Sequence, residues 1–236
     1  MSRALYFGRV LPASTIHLAV DAVVFAYAGD MLKVLLVEVG AGPFAGRYAL
    51  PGGFVREREG LLAAVERELD EEASLKVNYL EQLYTYGDDP ARDPRGHVVT
   101  VAYYALVRPS VVASQSNSDA RAAAWVPVAQ VRVLAYDHDV ILAAALERLR
   151  AKLRYRPVGF ELLPETFGFS DLERLYGAIL GRPVDRRNFR RRVLALGLLE
   201  STGDTRQEGP GRPATLYRFD AAKYRRLERE GFLFEL

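Results

Sequence analysis

Four carboxylates, Glu68, Asp70, Glu71 and Glu72, stand within five consecutive residues of the sequence. On a helix, like charges at i,i+3 and i,i+4 repel each other, so the arrangement lowers stability unless something positive lies against it. Hard divalent cations bind oxygen ligands from a few carboxylates and leave room for phosphate oxygens. Glu68, Glu71 and Glu72 are therefore candidate ligands for Mg²⁺, or for Mn²⁺ as a substitute. The alternative is an ordinary solvated helix face.

The residues that precede this cluster can position it against a ligand. Gly52 and Gly53 carry no Cβ, so the backbone there can turn sharply or approach a ligand closely. A helix is expected from about Gly60, and Arg67 on it can pair with Glu59 to fix the helix to the preceding loop. The apolar stripe that would dock this helix on a sheet is Leu62, Val65 and Leu69.

A second cluster is basic, since RPVDRRNFRRR (182–192) holds six arginines in eleven residues. On a helix that begins after Asp185, the apolar face is formed by Phe189, Val193 and Leu196. The opposite face then presents Arg186, Arg187, Asn188, Arg190 and Arg191. Arginine bridges phosphates or pairs with guanine and asparagine suits adenine, so this face fits the major groove of DNA. The alternative is a solvated basic helix that binds an acidic protein.

The elements around these clusters fall into two groups. Strands are expected at 17–27 and 33–39, then at 76–87, 97–107 and 123–128, with a long helix over 138–155. Strands that enclose a helix and end in another helix indicate an α+β domain over residues 1–155.

The remaining residues, 156–236, show a different pattern. A helix with Ser170 as N-cap is followed by the arginine helix, for which Asp185 is the N-cap and Gly197 the C-terminal stop. The chain then reads as a hairpin with a Gly/Pro-rich tip, where Arg206 and Arg212 can meet the DNA backbone. Two short helices and a hairpin are the order of a winged helix-turn-helix.

Composition excludes several other functions. The chain has 236 residues, no cysteine and three histidines, so disulfides, thiolate zinc sites and cysteine nucleophiles are ruled out. No apolar run reaches the ~18 residues of a membrane span, and residues 1–14 lack a secretory pattern, so we expect a cytoplasmic protein. Residues 1–150 hold 15 Lys and Arg against 18 Asp and Glu, whereas residues 151–236 hold 17 against 12. An acidic front and a basic back suggest two parts with different partners.

The spacing of the carboxylate segment resembles the Nudix box. Gly53, five residues, Glu59, seven residues, Arg67-Glu68-Leu69, one residue and Glu71-Glu72 follow its pattern, while Ser74 stands where the family has glycine. The resemblance implies a Nudix α/β/α sandwich over most of residues 15–155. It also implies Glu68, Glu71 and Glu72 as metal ligands or their water-mediated partners.

The C-terminal part resembles the winged helix of the Nudix-related transcriptional regulators, the NrtR family. The similar segments run from LLPETFGFSDLERLYGAILG through RRVLALGLLE to GRPATLYRF, with DPRG (93–96) and LAYDHDVILAAALERLR (134–150) in the front half. The family implies a homodimeric repressor whose Nudix domain senses ADP-ribose or a related metabolite and then releases operator DNA. It commonly controls NAD biosynthesis, although some relatives control sugar use.

Two functions stay open at this point. One is the ligand-responsive DNA-binding repressor; the other is a Mg-dependent pyrophosphatase for ADP-ribose or nucleoside diphosphates, and the two roles can coexist. Arg47 and Arg95 are candidates to hold the diphosphate beside Gly52 and Gly53, and His138, a lone histidine at a helix start, is more often structural. A Nudix enzyme takes its general base from a distal loop, for which the candidates are Asp88, Asp89, Asp93 and Asp119.

Overall fold

The computed structural model describes residues 15–77, 79–115, 123–207 and 213–235. Residues 1–14, Asp119 and Arg212, which entered the expectations above, lie outside these ranges. No helix in the described ranges is both long and apolar enough to cross a bilayer.

The first part of the chain forms a mixed sheet. Its strands are β1 (His17–Ala28), β2 (Met31–Glu38), β3 (Tyr48–Ala49), β4 (Gly52–Phe54), β5 (Tyr79–Tyr86), β6 (Val98–Val107) and β7 (Ala123–Pro127). The order is β3-β2-β1-β6-β5, with β4 on β1 and β7 on β2. The central strand β1 runs parallel to β6 and antiparallel to β2. Because β1 is apolar on both faces, helices must cover the sheet on both sides.

The helices of this part are α1 (Leu61–Ala73), α2 (Pro109–Gln115) and α3 (His138–Lys152). The α1 face that packs on the sheet consists of Ala64, Val65, Leu69 and Ala73. The expectation for Leu62 was wrong: this side chain is 53% exposed, since it lies in the first turn, ahead of the buried residues. On the opposite face α3 buries Ile141, Ala145 and Leu149. The α/β/α arrangement is confirmed.

The second part is a winged helix. It contains β8 (Phe167–Gly168), α4 (Phe169–Leu180), α5 (Arg186–Ala195), β9 (Leu199–Arg206), β10 (Ala214–Phe219) and α6 (Ala221–Arg229), with strand order β8-β10-β9. A 3-10 helix, Val158–Leu162, precedes it, so the boundary drawn after residue 155 falls between elements and stays a prediction.

The helix ends test the cap assignments. Ser170 is not the N-cap of α4; Gly168 holds that position, because the Asp171 carboxylate accepts its N–H at 2.8 Å and starts the helix earlier. Asp185 caps α5 as expected, accepting from the Asn188 backbone N–H, and Gly197 follows the helix with φ +64°. The helix α6 has no counterpart among the sequence expectations.

The two parts share one apolar core. It continues from Val23 and Phe25 of β1 through Leu149 of α3 to Phe160 and Leu172 of the second part. The winged helix is therefore packed on the α3 face of the sheet rather than joined to it by a linker alone.

Ser74 closes α1 in the left-handed region. Its φ is +48°, its N–H donates to Asp70 O at 2.9 Å, and Leu75 N–H donates to Leu69 O at 3.1 Å. Glycine adopts this conformation without the Cβ strain that serine meets.

We expect Ser74→Gly to raise the free energy of unfolding by about 0.5–1 kcal/mol, because the left-handed strain is removed. Ala63→Gly, at an exposed position in the first turn of the same helix, is the matched control and should lower it by up to about 1 kcal/mol. Urea denaturation measures both changes. A destabilised Ser74→Gly variant would contradict the account.

Candidate functional site

A cavity of about 270 Å³ opens where α1 and α3 meet residues of the five strands β1, β2, β3, β4 and β6. Its charged or aromatic lining residues are Asp21, Glu38, Glu72, Arg92, Asp93, Arg95, Tyr136 and His138. Gly52 and Gly53 also line it, so the structure brings three of the four predicted effector residues, these two and Arg95, to one place. Arg47 does not line the cavity; its guanidinium lies over the Phe44 ring, and its role stays a prediction.

The two glycines are required by close approach. The Glu72 carboxylate accepts the Gly52 N–H at 2.9 Å. A Cβ on Gly53 would stand 2.4 Å from Glu68 Oε1, and one on Gly52 would stand 2.3 Å from Val20 O. Both distances are shorter than any real Cβ contact, so a side chain at either position would displace the carboxylates or the strand backbone.

Arg67 is the positive partner that the carboxylate cluster requires. It donates to both oxygens of Glu59 at 2.7 and 2.9 Å, which confirms the expected ion pair, and to Glu68 Oε1 at 2.6 Å. A further bond reaches Glu71 at 3.2 Å. The hydrogen bond from Arg67, followed by one from the Arg56 backbone, lowers the pKa of Glu59 to about 2. Arg67 thus fixes α1 to the loop before it.

The three predicted metal ligands are not assembled as a ligand set. Within the described ranges no three His, Asp or Glu side chains are grouped closely enough to hold a metal ion. Glu68 and Glu71 share Arg67, while Glu72 turns to the Gly52 N–H. Arg67 contacts Oε1 of Glu68, so an ion could bind the second oxygen, whereas both oxygens of Glu71 accept from Arg56 and one also accepts from Arg67. The metal role of the three glutamates stays a prediction.

The chemistry of the donors nevertheless fits a divalent cation. Burial, and then the nearby charges of Glu68, Asp21 and Glu71, raise the pKa of Glu72 to about 7 despite the Gly52 N–H, which lowers it. Glu72 therefore lies in a local surplus of negative charge. Because all the donors are oxygens, a hard cation is the ion that suits them.

Two arginines enter the cavity already bound to carboxylates. Arg95 donates to both oxygens of Asp93, at 2.9 and 2.6 Å, and stacks between the rings of Phe54 and Tyr136. Arg92 donates in the same manner to Asp137, with Nε to Oδ2 at 2.8 Å. Guanidinium groups held this way are pre-oriented for an anionic ligand.

The candidates for general base separate clearly. Asp93 lines the cavity, whereas Asp88 and Asp89 do not. Burial alone would raise the pKa of Asp93, but the hydrogen bonds from Arg95 outweigh it and hold that pKa below its usual range. A carboxylate of low pKa accepts a proton poorly, so Asp93 is a weak base.

Asp21 is a cavity residue that the sequence analysis missed, and it lies beside His138. Asp21 is only 7% exposed, and its Oδ1 lies 3.5 Å from His138 Nε2. His138 Nδ1 accepts the Leu50 N–H at 2.9 Å, and burial lowers the pKa of this imidazole, so it is neutral and structural. The sequence signal that could have identified Asp21 is that it is a single acid inside the otherwise apolar strand HLAVDAVVFAY.

The polar face of α5 lies on the surface as expected, with Arg186, Arg187, Asn188, Arg190 and Arg191 all exposed. Val193 is buried, and Phe189 packs on Tyr176 of α4 with ring centroids 4.9 Å apart.

Several of these side chains have partners within the domain. Arg186 pairs with Glu173 at 2.9 Å, Arg191 donates to Asn188 Oδ1 at 2.7 Å, and Arg190 lies over the Phe169 ring. Arg206 of the hairpin is bound to Asp171 of α4 at 2.5 Å. The DNA roles of these residues stay predictions.

These features define a class: a Nudix-type domain with a ligand cavity, joined through a shared core to a winged helix with an arginine-rich surface. Comparison with family models agrees, since residues 15–149 match the NUDIX domain and residues 159–219 match the NrtR DNA-binding winged helix domain.

Individual relatives cover most of the chain. It is 35% identical over 211 residues to the ADPR responsive transcriptional repressor NtrR of Acinetobacter baylyi. The aligned residues cover 88% of this chain and 83% of that protein. The crystal structure of Shewanella oneidensis NrtR complexed with a 27mer DNA superposes with a TM-score of 0.75 and 42% identity, covering 86% of this chain and 93% of that one. The NUDIX domain of the same protein, complexed with ADP ribose, gives a TM-score of 0.50 and 38% identity, covering 58% and 90%. The chain belongs to the NrtR family of Nudix-related transcriptional regulators.

We expect the metal-free protein to lose stability as pH rises, because Glu72 is harder to ionise when folded. Below its ordinary pKa of 4.5 the carboxyl is neutral in both states. As pH rises from 4.5 through about 7, the carboxyl ionises first in the unfolded state, and the free energy of unfolding falls. The Glu72→Gln variant removes this group, so above pH 7 it should exceed the wild type in free energy of unfolding by about 1–2 kcal/mol, a value discounted for partial exposure.

Denaturation between pH 5 and pH 8 with a chelator present measures the difference. Glu66→Gln, on the exposed side of α1, is the control and should follow the wild type. A constant difference between wild type and Glu72→Gln across this range would contradict the raised pKa.

Proposed function

We propose that this chain is a DNA-binding transcriptional repressor whose Nudix domain binds ADP-ribose or a related nucleotide, and that binding releases the DNA. The observation that carries the proposal is the combination of a cavity lined by charged residues and an exposed arginine helix on one continuous core. Regulation of NAD metabolism is part of the proposal, because relatives of this family commonly control it.

The DNA contact is assigned to α5 and the hairpin. An exposed helix with four arginines and one asparagine on its outer face can read base edges and bind phosphates in the major groove. Arg187 has no partner among the described residues, so no internal hydrogen bond has to be broken before it contacts DNA. Arg191 must release Asn188 before that amide can pair with adenine through both its oxygen and its nitrogen.

The effector is assigned to the cavity, with a metal ion as its partner. Four carboxylates, Asp21, Glu38, Glu72 and Asp93, line the cavity against two guanidinium groups, Arg92 and Arg95. A diphosphate would add negative charge to a surface that already has a surplus. A divalent cation offsets both charges, and we assign this role to Mg²⁺, held by Glu72 with Glu68 and Glu71. When bound, the ion neutralises the diphosphate and lowers the pKa of a bound water.

A homodimer completes the proposal. Two α5 helices about 34 Å apart, one turn of DNA, would occupy both half-sites of a symmetric operator. An effector that binds one dimer geometry more tightly than the other shifts the protein away from DNA by that difference in affinity.

We expect Arg187→Ala to weaken binding to DNA from the protein's own upstream region by roughly 10- to 100-fold, since one major-groove contact is worth ~1–3 kcal/mol. A gel shift measures it. Arg226→Ala on α6, also exposed, is the matched control for loss of one positive charge and should bind as the wild type does. Adding ADP-ribose with Mg²⁺ should release the wild-type complex. Equal affinity of Arg187→Ala and wild type would count against the assignment of α5.

A second function, hydrolysis, is favoured by the intact Arg67–Glu59 pair and by the presence of all three box glutamates. We expect any turnover of ADP-ribose with Mg²⁺ to yield AMP and ribose 5-phosphate and to be lost in Glu72→Gln, because this carboxylate lies in the cavity. Chromatography of the products, with Glu66→Gln as control, measures it. If the purified protein gives no AMP, the cavity acts in sensing only.

A further inference from the structure

The helix α3 connects the cavity to the winged helix. Its 15 residues span roughly 22 Å at 1.5 Å per residue. At its start His138 lines the cavity. Near its end, Leu149 and Leu153 lie in the core that also contains Leu175 and Ile179 of α4. A rigid element thus has one end at each proposed binding site.

The cavity end of α3 is held by charge. Asp137, which immediately precedes the helix, accepts two hydrogen bonds from Arg92. The Arg92 side chain is only 5% exposed, yet it lines the cavity. Tyr136, the next residue back, has φ +55°, an uncommon conformation for an aromatic residue, and its ring also lines the cavity.

The other end of α3 is bound to α4. Arg150 Nε donates to the backbone oxygen of Ile179 at 2.8 Å. Ile179 lies in the last turn of α4, where carbonyl groups lack partners within the helix and a cation is favourable. Through Tyr176, α4 in turn packs on Phe189 of the arginine helix. A displacement of α3 therefore reaches α4 and α5 through direct contacts.

We propose that the Arg92–Asp137 ion pair transmits cavity occupancy to the DNA-binding helix through α3 and the Arg150–Ile179 hydrogen bond. This inference rests on the proposed function, since it requires an anionic effector in the cavity. Among the described residues that line the cavity, Arg92 and Arg95 are the arginines. Each is bound to a carboxylate, but the partner of Arg95 is Asp93 on the same loop, whereas the partner of Arg92 is Asp137 at the start of α3. A phosphate oxygen in the cavity competes with Asp137 for Arg92 and so weakens the attachment of α3 at its start.

Another contact between the two parts involves no residue of the cavity. Arg174 of α4 pairs with Asp30 at 3.1 Å, in the turn between β1 and β2. Neither residue lines the cavity. The path through α3 is chosen because its start lines the cavity and its end is hydrogen-bonded to α4, which packs on α5.

The test uses two variants on α3. Arg150→Met keeps the aliphatic stem and removes the donor to Ile179. Arg148→Met is the matched control, because within the described ranges the hydrogen bond and ion pair of Arg148 are made to Leu83 and Glu81 of the Nudix part. For each protein, fluorescence anisotropy measures DNA affinity with and without ADP-ribose and Mg²⁺. We expect the fold-change caused by ADP-ribose to fall towards one in Arg150→Met and to be retained in Arg148→Met, with ADP-ribose affinity in the absence of DNA unchanged in both.

Asp137→Asn provides an independent measurement at the other end. Weakening the pair with Arg92 should imitate the occupied state, so this variant should bind DNA more weakly without effector and respond less to it. Linkage requires that DNA alter ADP-ribose affinity by the same factor, and this factor should shrink equally in Arg150→Met.

The outcomes separate the inference from the proposed function. If the wild type binds DNA and responds to ADP-ribose, and Arg150→Met responds equally, the inference is wrong while the proposed function stands. If the wild type shows no response, the proposed function fails. Hydrogen exchange then decides the inference without DNA: ADP-ribose should change protection in the last turn of α4 in wild type and Arg148→Met, but not in Arg150→Met. If ADP-ribose changes the protection of this turn equally in all three proteins, the inference is wrong.

Discussion

The fold depends on one continuous apolar core that serves two functional parts. The face of the mixed sheet opposite α1 is covered by α3, and the same cluster continues into Phe160, Leu172 and Ile179 of the winged helix. Burying each large apolar side chain contributes about 1.5–3 kcal/mol, so separating the parts would be costly. Because closely packed interiors transmit strain, a displacement in one part is felt in the other through this core.

The electrostatics of the cavity follow from that burial. Carboxylates are concentrated where β1, β4 and α1 meet, and arginine side chains pair with several of them. Arg67, Arg92 and Arg95 each hold a carboxylate of the chain. Among the described residues no guanidinium group pairs with Glu72, and burial, followed by the charges of nearby carboxylates, raises its pKa. In the proposed function, a ligand and its cation compete with these internal ion pairs, and occupancy is thereby coupled to the positions of the loops that carry them.

The arginines proposed to bind DNA are also partly paired with acids of the chain. Acids of α4 bind two of the arginines assigned to DNA, with Asp171 holding Arg206 and Glu173 holding Arg186. Asp171 also accepts the N–H that starts α4. These pairs orient the guanidinium groups in the free protein and must be exchanged for phosphates or bases in the complex. The net gain on binding is therefore smaller than the number of arginines suggests, whereas the arrangement favours one docking geometry.

Much of the molecule was determined by local sequence. The strands, the helix of the Nudix box, the Asp185 cap and the stop at Gly197 all depend on residues within a few positions of one another, and each is confirmed. The Arg67–Glu59 pair was equally accessible, because one loop and one helix turn bring the two residues together.

Other features were decided only by tertiary structure. Arg92 and Asp137 are 45 residues apart, and nothing in either neighbourhood indicates that they meet. Asp21 became a cavity residue because β4 and α3 close over its strand, Ser170 lost the cap to a competing carboxylate, and Leu62 stayed exposed because the sheet does not cover the first turn. Local spacing fixes which groups a segment presents; long-range packing fixes which charges must share a space, and the chemistry of the site follows from the second.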